Sequence, residues 1–108
     1  MEVDQRKVSL ISKFLEESFV GCSVYDWEDE APLAQCYRIV DDTSGKLLHR
    51  VFVSRAFLDH HAEAEIVPAL QSLALLVCLR MAGGRPVIVG SQMIEIEKGM
   101  RRTTDPFW

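Results

Sequence analysis

The sequence predicts an α+β fold in two layers, with an antiparallel sheet of four to five strands, an N-terminal helix and a long, kinked apolar second helix. Apolar residues recur at three- and four-residue steps in residues 4–19, which is helical spacing. Two runs with strand-like alternation, 33–42 and 46–54, flank a turn. The most apolar run, 68–82, again has helical spacing, so the predicted order of elements is α-β-β-β-α-β.

Size and composition are those of one ordinary globular domain. The chain has 108 residues, of which 48% are hydrophobic and 26% charged, and this is enough for a single core. We expect one domain over residues 1–98 and a flexible tail over residues 99–108. The formal net charge of −4 argues against broad binding to nucleic-acid phosphates. Three cysteines, an odd number, and a charged N-terminus without an apolar core predict a cytoplasmic protein that does not enter a membrane.

The first helix is predicted over residues 4–19, with Asp4 as N-cap and Gly21 as the stop. A short strand near Cys22 and then an acidic loop, residues 25–30, are expected to follow. The apolar stripe of the helix consists of Val8, Ile11, Leu15 and Phe19.

Residues 33–42 and 46–54 are predicted to form a β-hairpin. Its turn, DDTSGK, offers aspartate side chains that can bond the backbone, and Gly45 can take a positive φ. Both strands carry apolar residues on both faces, which predicts a sheet covered at least partly on both sides.

Ser54 is the predicted N-cap of a helix over residues 56–65. Pro68 is expected to kink this helix or to begin a second one, because proline lacks a backbone donor and clashes with the preceding turn. The second helix runs to about Ala82, and Gly83 and Gly84 are expected to end it. It is apolar nearly all round, and is therefore expected to be buried nearly all round. The runs RPVIVG and MIEIEK after it predict either a hairpin or one bulged strand.

The densest group of titratable side chains is FLDHHAEAEI, residues 57–66. A helix brings residues four apart together, so His61 would meet Glu65 and Asp59 would meet Glu63 on a different flank. Negative charge early in a helix also suits the helix dipole, which favours an ordinary solvated helix start.

A metal-binding or hydrolytic site is the alternative for the same stretch. The candidate metal ligands are His61, Glu65 and His60, with Glu63 as a further acidic group. Their spacing is not that of the helical zinc motif H-E-x-x-H, and a zinc site needs another ligand, for which His49 is a candidate. No catalytic residue and no cofactor is predicted.

The apolar helix has more apolar surface than one sheet can cover, which favours a homodimer. Another protein is a further possible partner, through the acidic segment 25–30 or through the tail. Lys98 at the end of the domain and Arg101 and Arg102 in the tail lie beside two aromatics, a pattern that also suits single-stranded nucleic acid, although the net charge opposes it. The predicted interface residues are Leu75, Leu76, Leu79, Trp27, Phe107 and Trp108.

A helix, three strands and a helix is an order similar to that of the double-stranded-RNA-binding domain. That family has a basic cluster at the start of its last helix, where this chain has the acidic DHHAEAEI, so RNA binding does not carry over. In size, charge and alternation the chain is also similar to small, acidic, dimeric bacterial secretion chaperones. We expect a non-enzymatic interaction or adaptor protein, with a metal-dependent or hydrolytic enzyme and a nucleic-acid-binding regulator as alternatives.

Overall fold

A five-stranded sheet and helices that pack on one of its faces make up the described part of the chain, residues 5–30 and 33–96, in a computed structural model. This is the predicted α+β fold. The strands lie in chain order across the sheet, β1-β2-β3-β4-β5. The elements are α1 (Gln5–Ser18), β1 (Cys22–Glu30), β2 (Leu33–Asp41), β3 (Leu47–Ser54), α2 (Arg55–His60), α3 (Glu63–Ser72), α4 (Leu75–Ala82), β4 (Pro86–Val89) and β5 (Ile94–Ile96).

β1 is longer than predicted. Residues 25–30 belong to this strand, so the prediction of an acidic loop there is wrong. The strand runs for nine residues and pairs with β2 at every one of them, without a shift of register. Asp26 lies in the middle of the strand, where its carboxylate accepts hydrogen bonds from Ser12 Oγ at 3.1 Å and Gln35 Nε2 at 3.2 Å. Pairing with β2 therefore outweighs the low strand preference of acidic residues.

The β2–β3 hairpin and its turn are confirmed. The Asp41 carboxylate accepts from the Ser44 backbone N–H at 2.9 Å and from Ser44 Oγ at 2.7 Å, and Gly45 has φ +72°. These hydrogen bonds, above all the one from the Ser44 hydroxyl, lower the pKa of Asp41. The turn chemistry read from the sequence thus joins the two strands, whose register shifts between Ile39 and Val40.

The sheet is mixed, and not antiparallel throughout as predicted, because β3 and β4 pair in parallel. Residues 55–85 connect them and form three helices. A helical crossover returns the chain to the starting end of the sheet, so the next strand runs parallel to the last. β4 and β5 are separate strands in an antiparallel hairpin, closed by the hydrogen bond from Gly90 N–H to the Met93 carbonyl at 2.8 Å.

α2 begins where predicted but ends earlier. Ser54 is its N-cap, and Ser54 Oγ accepts from the Phe57 N–H at 3.1 Å. The helix stops at His60, and His61 is already extended, with φ −124° and ψ 132°. The His60 ring bonds back to the Ala56 carbonyl through Nδ1 at 2.8 Å. The prediction of a single helix over residues 56–65 is therefore wrong.

The predicted kink at Pro68 is not observed either, because Pro68 lies inside α3. α3 begins after Ala62, whose N–H donates to Glu65 Oε1 at 3.1 Å. The bend comes later: Ala74 has φ 59°, and α3 and α4 are inclined by 51°. α4 ends at Gly83, as predicted, with φ 56°.

α4 is buried on one side only, which corrects the expectation of burial nearly all round. Val77 is 52% exposed and Met81 67% exposed, one turn apart on the outer side. Among the described residues no single helix is long and apolar enough to cross a membrane, and α3 and α4 meet the length and composition requirement only together, across their bend.

One core lies between the helices and the sheet. Tyr37 is fully buried in it, and its hydroxyl donates to the Val8 carbonyl of α1 at 3.2 Å. Its other buried members are Val8, Ile11, Leu15, Ile39, Val51, Val53, Phe57, Leu58, Ile66, Leu70, Leu75, Leu79, Ala82, Val87 and Val89. All four helices contribute to this cluster, so they cover the same face of the sheet.

Candidate protein-interaction surface

The histidine and glutamate side chains of residues 60–65 do not form a common site. His61 Nδ1 lies 2.8 Å from the Phe57 carbonyl, and the His61 ring packs at 4.4 Å on the Phe57 ring. Glu65 turns toward the Ala62 N–H at the start of the next helix. Because the helix breaks between His61 and Glu65, the four-residue spacing that was expected to pair them does not apply.

Glu63 and His60 also take separate positions. Glu63 Oε2 lies 3.8 Å from Arg6 Nη1 of α1, in a solvent-exposed ion pair. Among residues 5–30 and 33–96, no group of three or more His, Cys, Asp or Glu side chains is arranged to hold a metal ion. His49, the proposed further ligand, therefore does not complete such a group.

His49 lies instead on the helix-facing side of β3. Its ring packs against Phe19 at a centroid distance of 5.0 Å, and its buried Nδ1 has no hydrogen-bond partner. Burial lowers the pKa of His49, the positive charge of Arg80 lowers it further, and the Leu79 backbone opposes the shift. The fold thus favours the neutral imidazole.

We expect stability to fall as the pH drops below the ordinary histidine pKa of 6.5. Above that pH, His49 is neutral in both states; below it, the unfolded chain takes up a proton that the folded chain resists, so the free energy of unfolding decreases. Urea titrations between pH 7.5 and about 5 measure the free energy of unfolding. As the pH falls over this range, that free energy should decrease less in the His49→Leu variant than in the parent. His60→Leu, at an exposed position, is the control, and equal slopes for the parent and His49→Leu would contradict the assignment.

The three cysteine thiols lie in different environments. Burial, with the charges of Asp41 and Asp42, raises the pKa of Cys22, which disfavours the reactive thiolate. Cys36 is fully buried and Cys78 is half-buried in α4. The three thiols thus fit packing roles.

The predicted interface residues fall into different environments. Leu75 and Leu79 are fully buried in the core of the chain itself, so they have no surface left for a partner. Leu76 packs partly against that core, and Trp27 is 38% exposed on β1. Lys98, Phe107 and Trp108, like the rest of residues 97–108 and Asp4, lie outside the described residues.

The second face of the sheet, which we call the open face, is not covered by any of the described helices. Side chains alternate between faces, and the strand register aligns one cross-strand row on the open face. None of its residues belongs to the helix-facing core. The row consists of Trp27, Cys36, Phe52, Ile88 and Glu95, one from each strand.

A second row on the open face adds charge and another aromatic ring. Tyr25 is 53% exposed and lies opposite Arg38 in the register, and Arg38 lies opposite Arg50. The Arg38 guanidinium carbon lies 5.1 Å from the centre of the Trp27 ring, within the range of a cation–π contact. Aromatic and arginine side chains on a flat apolar surface are typical of protein interfaces.

Sequence reasoning found Trp27 but missed its neighbours in the row. Phe52 and Ile88 look like ordinary strand residues, and only the pairing of their strands shows that they line up. The available signal was the presence of apolar residues on both faces of β2 and β3, which indicates that the second face has an apolar surface to cover.

No protein-family model matches the chain, and no curated protein or solved structure is significantly similar to it. Its function therefore has to be argued from its own residues.

Proposed function

We propose that this protein is a small, non-enzymatic interaction protein that forms a homodimer through the open face. The observation that carries the proposal is the cross-strand row from Trp27 to Glu95, which no described helix covers. Burying such a surface against a second copy removes apolar area from water, at roughly 25 cal/mol per Å² before the costs of association.

The charges on the open face favour a second copy as the occupant. A two-fold axis that lies in the interface and runs along β3 sets β1 of one copy over β5 of the other. Glu95 on β5 then faces Trp27 and the Arg38 guanidinium stacked on it. The contact occurs twice, so the surface complements itself in charge.

The same proposal places the protein in the cytoplasm. Cys22, Cys36 and Cys78 are not joined in disulfides, and the cytoplasm keeps thiols reduced. Cys36 lies in the same row but is fully buried within one copy, so it packs as a small apolar side chain and leaves the contact with the partner to its neighbours in the row.

Light scattering on the eluate of a size-exclusion column tests the dimer directly. We expect twice the mass of one chain, and a monomer at high micromolar concentration would overturn the proposal. Phe52→Glu should weaken the dimer by about 2 kcal/mol or more, since it places a charge in the middle of the interface. Val77→Glu, on the exposed side of α4, is the matched control and should leave the mass unchanged.

A charge-exchange pair tests the orientation of the two copies. Glu95→Arg and Arg38→Glu should each weaken the dimer, because each places like charges opposite one another. The double variant should recover part of the loss. Additive losses in the double variant would rule out this orientation even if a dimer forms.

A further inference from the structure

Two arginine side chains are direct neighbours on the open face. Arg38 of β2 and Arg50 of β3 are partners in the strand register, so their Cβ atoms lie on the same face, roughly 5 Å apart. Like charges directly opposite one another destabilise a sheet. A bound anion would offset this repulsion, and two positive charges side by side attract one.

Contacts with neighbouring strands fix the two guanidinium groups and draw them apart. The guanidinium carbon of Arg38 lies 5.1 Å from the centre of the Trp27 ring, on the β1 side. Arg50 leans toward β4 and donates to the Gly84 carbonyl, from Nη2 at 3.1 Å and from Nε at 3.4 Å. The sheet surface between the two groups is therefore flanked by positive charge on both sides. Because these contacts already order the side chains, binding an anion there costs less conformational entropy.

The N–H edge of Arg38 is suited to a phosphate. Stacking on Trp27 occupies the flat face of the guanidinium and not its edge. In the described part of the chain no acceptor bonds to that edge, and Arg38 is exposed. A planar guanidinium edge can donate two parallel hydrogen bonds to two oxygens of one phosphate, and such charge-assisted bonds are about twice as strong as neutral ones.

An aromatic ring lies on the other side of Arg38 in the same row. Tyr25 of β1 is the register partner of Arg38, and its side chain is 53% exposed, which leaves the ring accessible to a ligand. Adjacent strands lie about 4.8 Å apart, so Tyr25, Arg38 and Arg50 follow one another across about 10 Å of the sheet. A nucleobase stacked on the tyrosine ring would therefore place the phosphate attached to its sugar over the arginines.

We propose that Tyr25, Arg38 and Arg50 bind a nucleoside phosphate on the open face. The Tyr25 ring stacks on the base, the Arg38 edge donates to the phosphate, and the charge of Arg50 adds to the attraction. The net charge of −4 favours one small ligand over a nucleic-acid strand, whose many phosphates need a broadly basic surface.

The three side chains belong to one copy of the chain, so the site does not require the proposed homodimer. In that dimer Glu95 of a second copy would face the same Arg38 guanidinium, so the ligand and the second copy compete, and the ligand shifts the dimer toward the monomer. Ligand binding by a chain that stays monomeric would contradict only the proposed dimer. A dimer that binds no nucleoside phosphate would contradict only the ligand site.

Isothermal titration calorimetry with three small molecules tests the site. AMP carries both the base and the phosphate, ribose 5-phosphate has the phosphate without the base, and adenosine has the base without the phosphate. AMP should bind most tightly, and its affinity should fall as salt is added, because the contact with the arginines is electrostatic. Binding of AMP no tighter than that of either fragment would overturn the proposal.

Variants of the row give a second, independent readout. Arg38→Gln should weaken AMP binding at least about tenfold, because it removes the charge-assisted hydrogen bonds. Arg6→Gln, on α1 at the other face of the sheet, removes the same charge and should leave the affinity unchanged. Tyr25→Leu should weaken the binding of AMP but not of ribose 5-phosphate. Unfolding curves show whether each variant is folded, and a folded Arg38→Gln variant that binds AMP like the parent would contradict the proposal.

Discussion

Leu79→Ala is expected to lower the free energy of unfolding by about 3 kcal/mol, because a fully buried leucine leaves a cavity when it is truncated. Leu79 lies on the inner side of α4 and belongs to the cluster that joins the helices to the sheet. The loss is a large part of the 5–15 kcal/mol that typically stabilises a domain of this size.

Urea unfolding monitored by circular dichroism measures the loss. Val77→Ala is the matched control. Val77 lies two residues away on the same helix and its side chain is 52% exposed, so the change should alter the free energy of unfolding by less than about 0.5 kcal/mol. The measurement should be repeated at two protein concentrations. A loss for Leu79→Ala that appears only at the higher concentration would place Leu79 in a dimer interface, contrary to its position in the core.

Pro68→Ala is expected to stabilise the protein by about 2 kcal/mol. Pro68 lies inside α3 and is exposed, so its ring supports no core packing. Proline in a helix interior costs about 3 kcal/mol relative to alanine, and its restriction of the unfolded chain returns about 0.4–1 kcal/mol. Alanine restores the backbone donor that a helix directs to the carbonyl four residues earlier, that of Ala64.

Thermal and urea unfolding both report the change, and Pro68→Gly is the informative comparison. Glycine also restores the N–H but is a poor helix former, so its gain should be about 1 kcal/mol smaller than that of alanine. A destabilised Pro68→Ala would show that the proline ring makes a contact on which the fold depends.

Sequence periodicity predicted the elements that are marked by a short, unambiguous pattern of residues. The hairpin was found because alternation flanks a turn in which Asp41 and Gly45 have defined roles. The first helix was found because Val8, Ile11 and Leu15 lie on one face, and all three are buried. Local patterns of this kind need no knowledge of the rest of the chain.

The candidate surface was predicted only in part. Trp27 stood out as an aromatic residue among acids, but the acids suggested a loop, and the ladder with β2 makes that segment a strand. Leu75 and Leu79 were expected at an interface because the helix has too many apolar residues for one sheet. α1 and α3 contribute side chains to the core that buries these two leucines. Neither leucine therefore needs a second copy of the chain to cover it.

The sequence by itself determined the fold class, the hairpin, the N-cap at Ser54 and the stop at Gly83, because each depends on a short pattern of residues. Only the tertiary structure decided the parallel pairing of β3 with β4, the break between His61 and Ala62, and the alignment of Trp27 with Phe52. Those features depend on contacts between segments far apart in the chain. A one-residue change in register would turn every side chain of a strand to the opposite face without altering the local pattern.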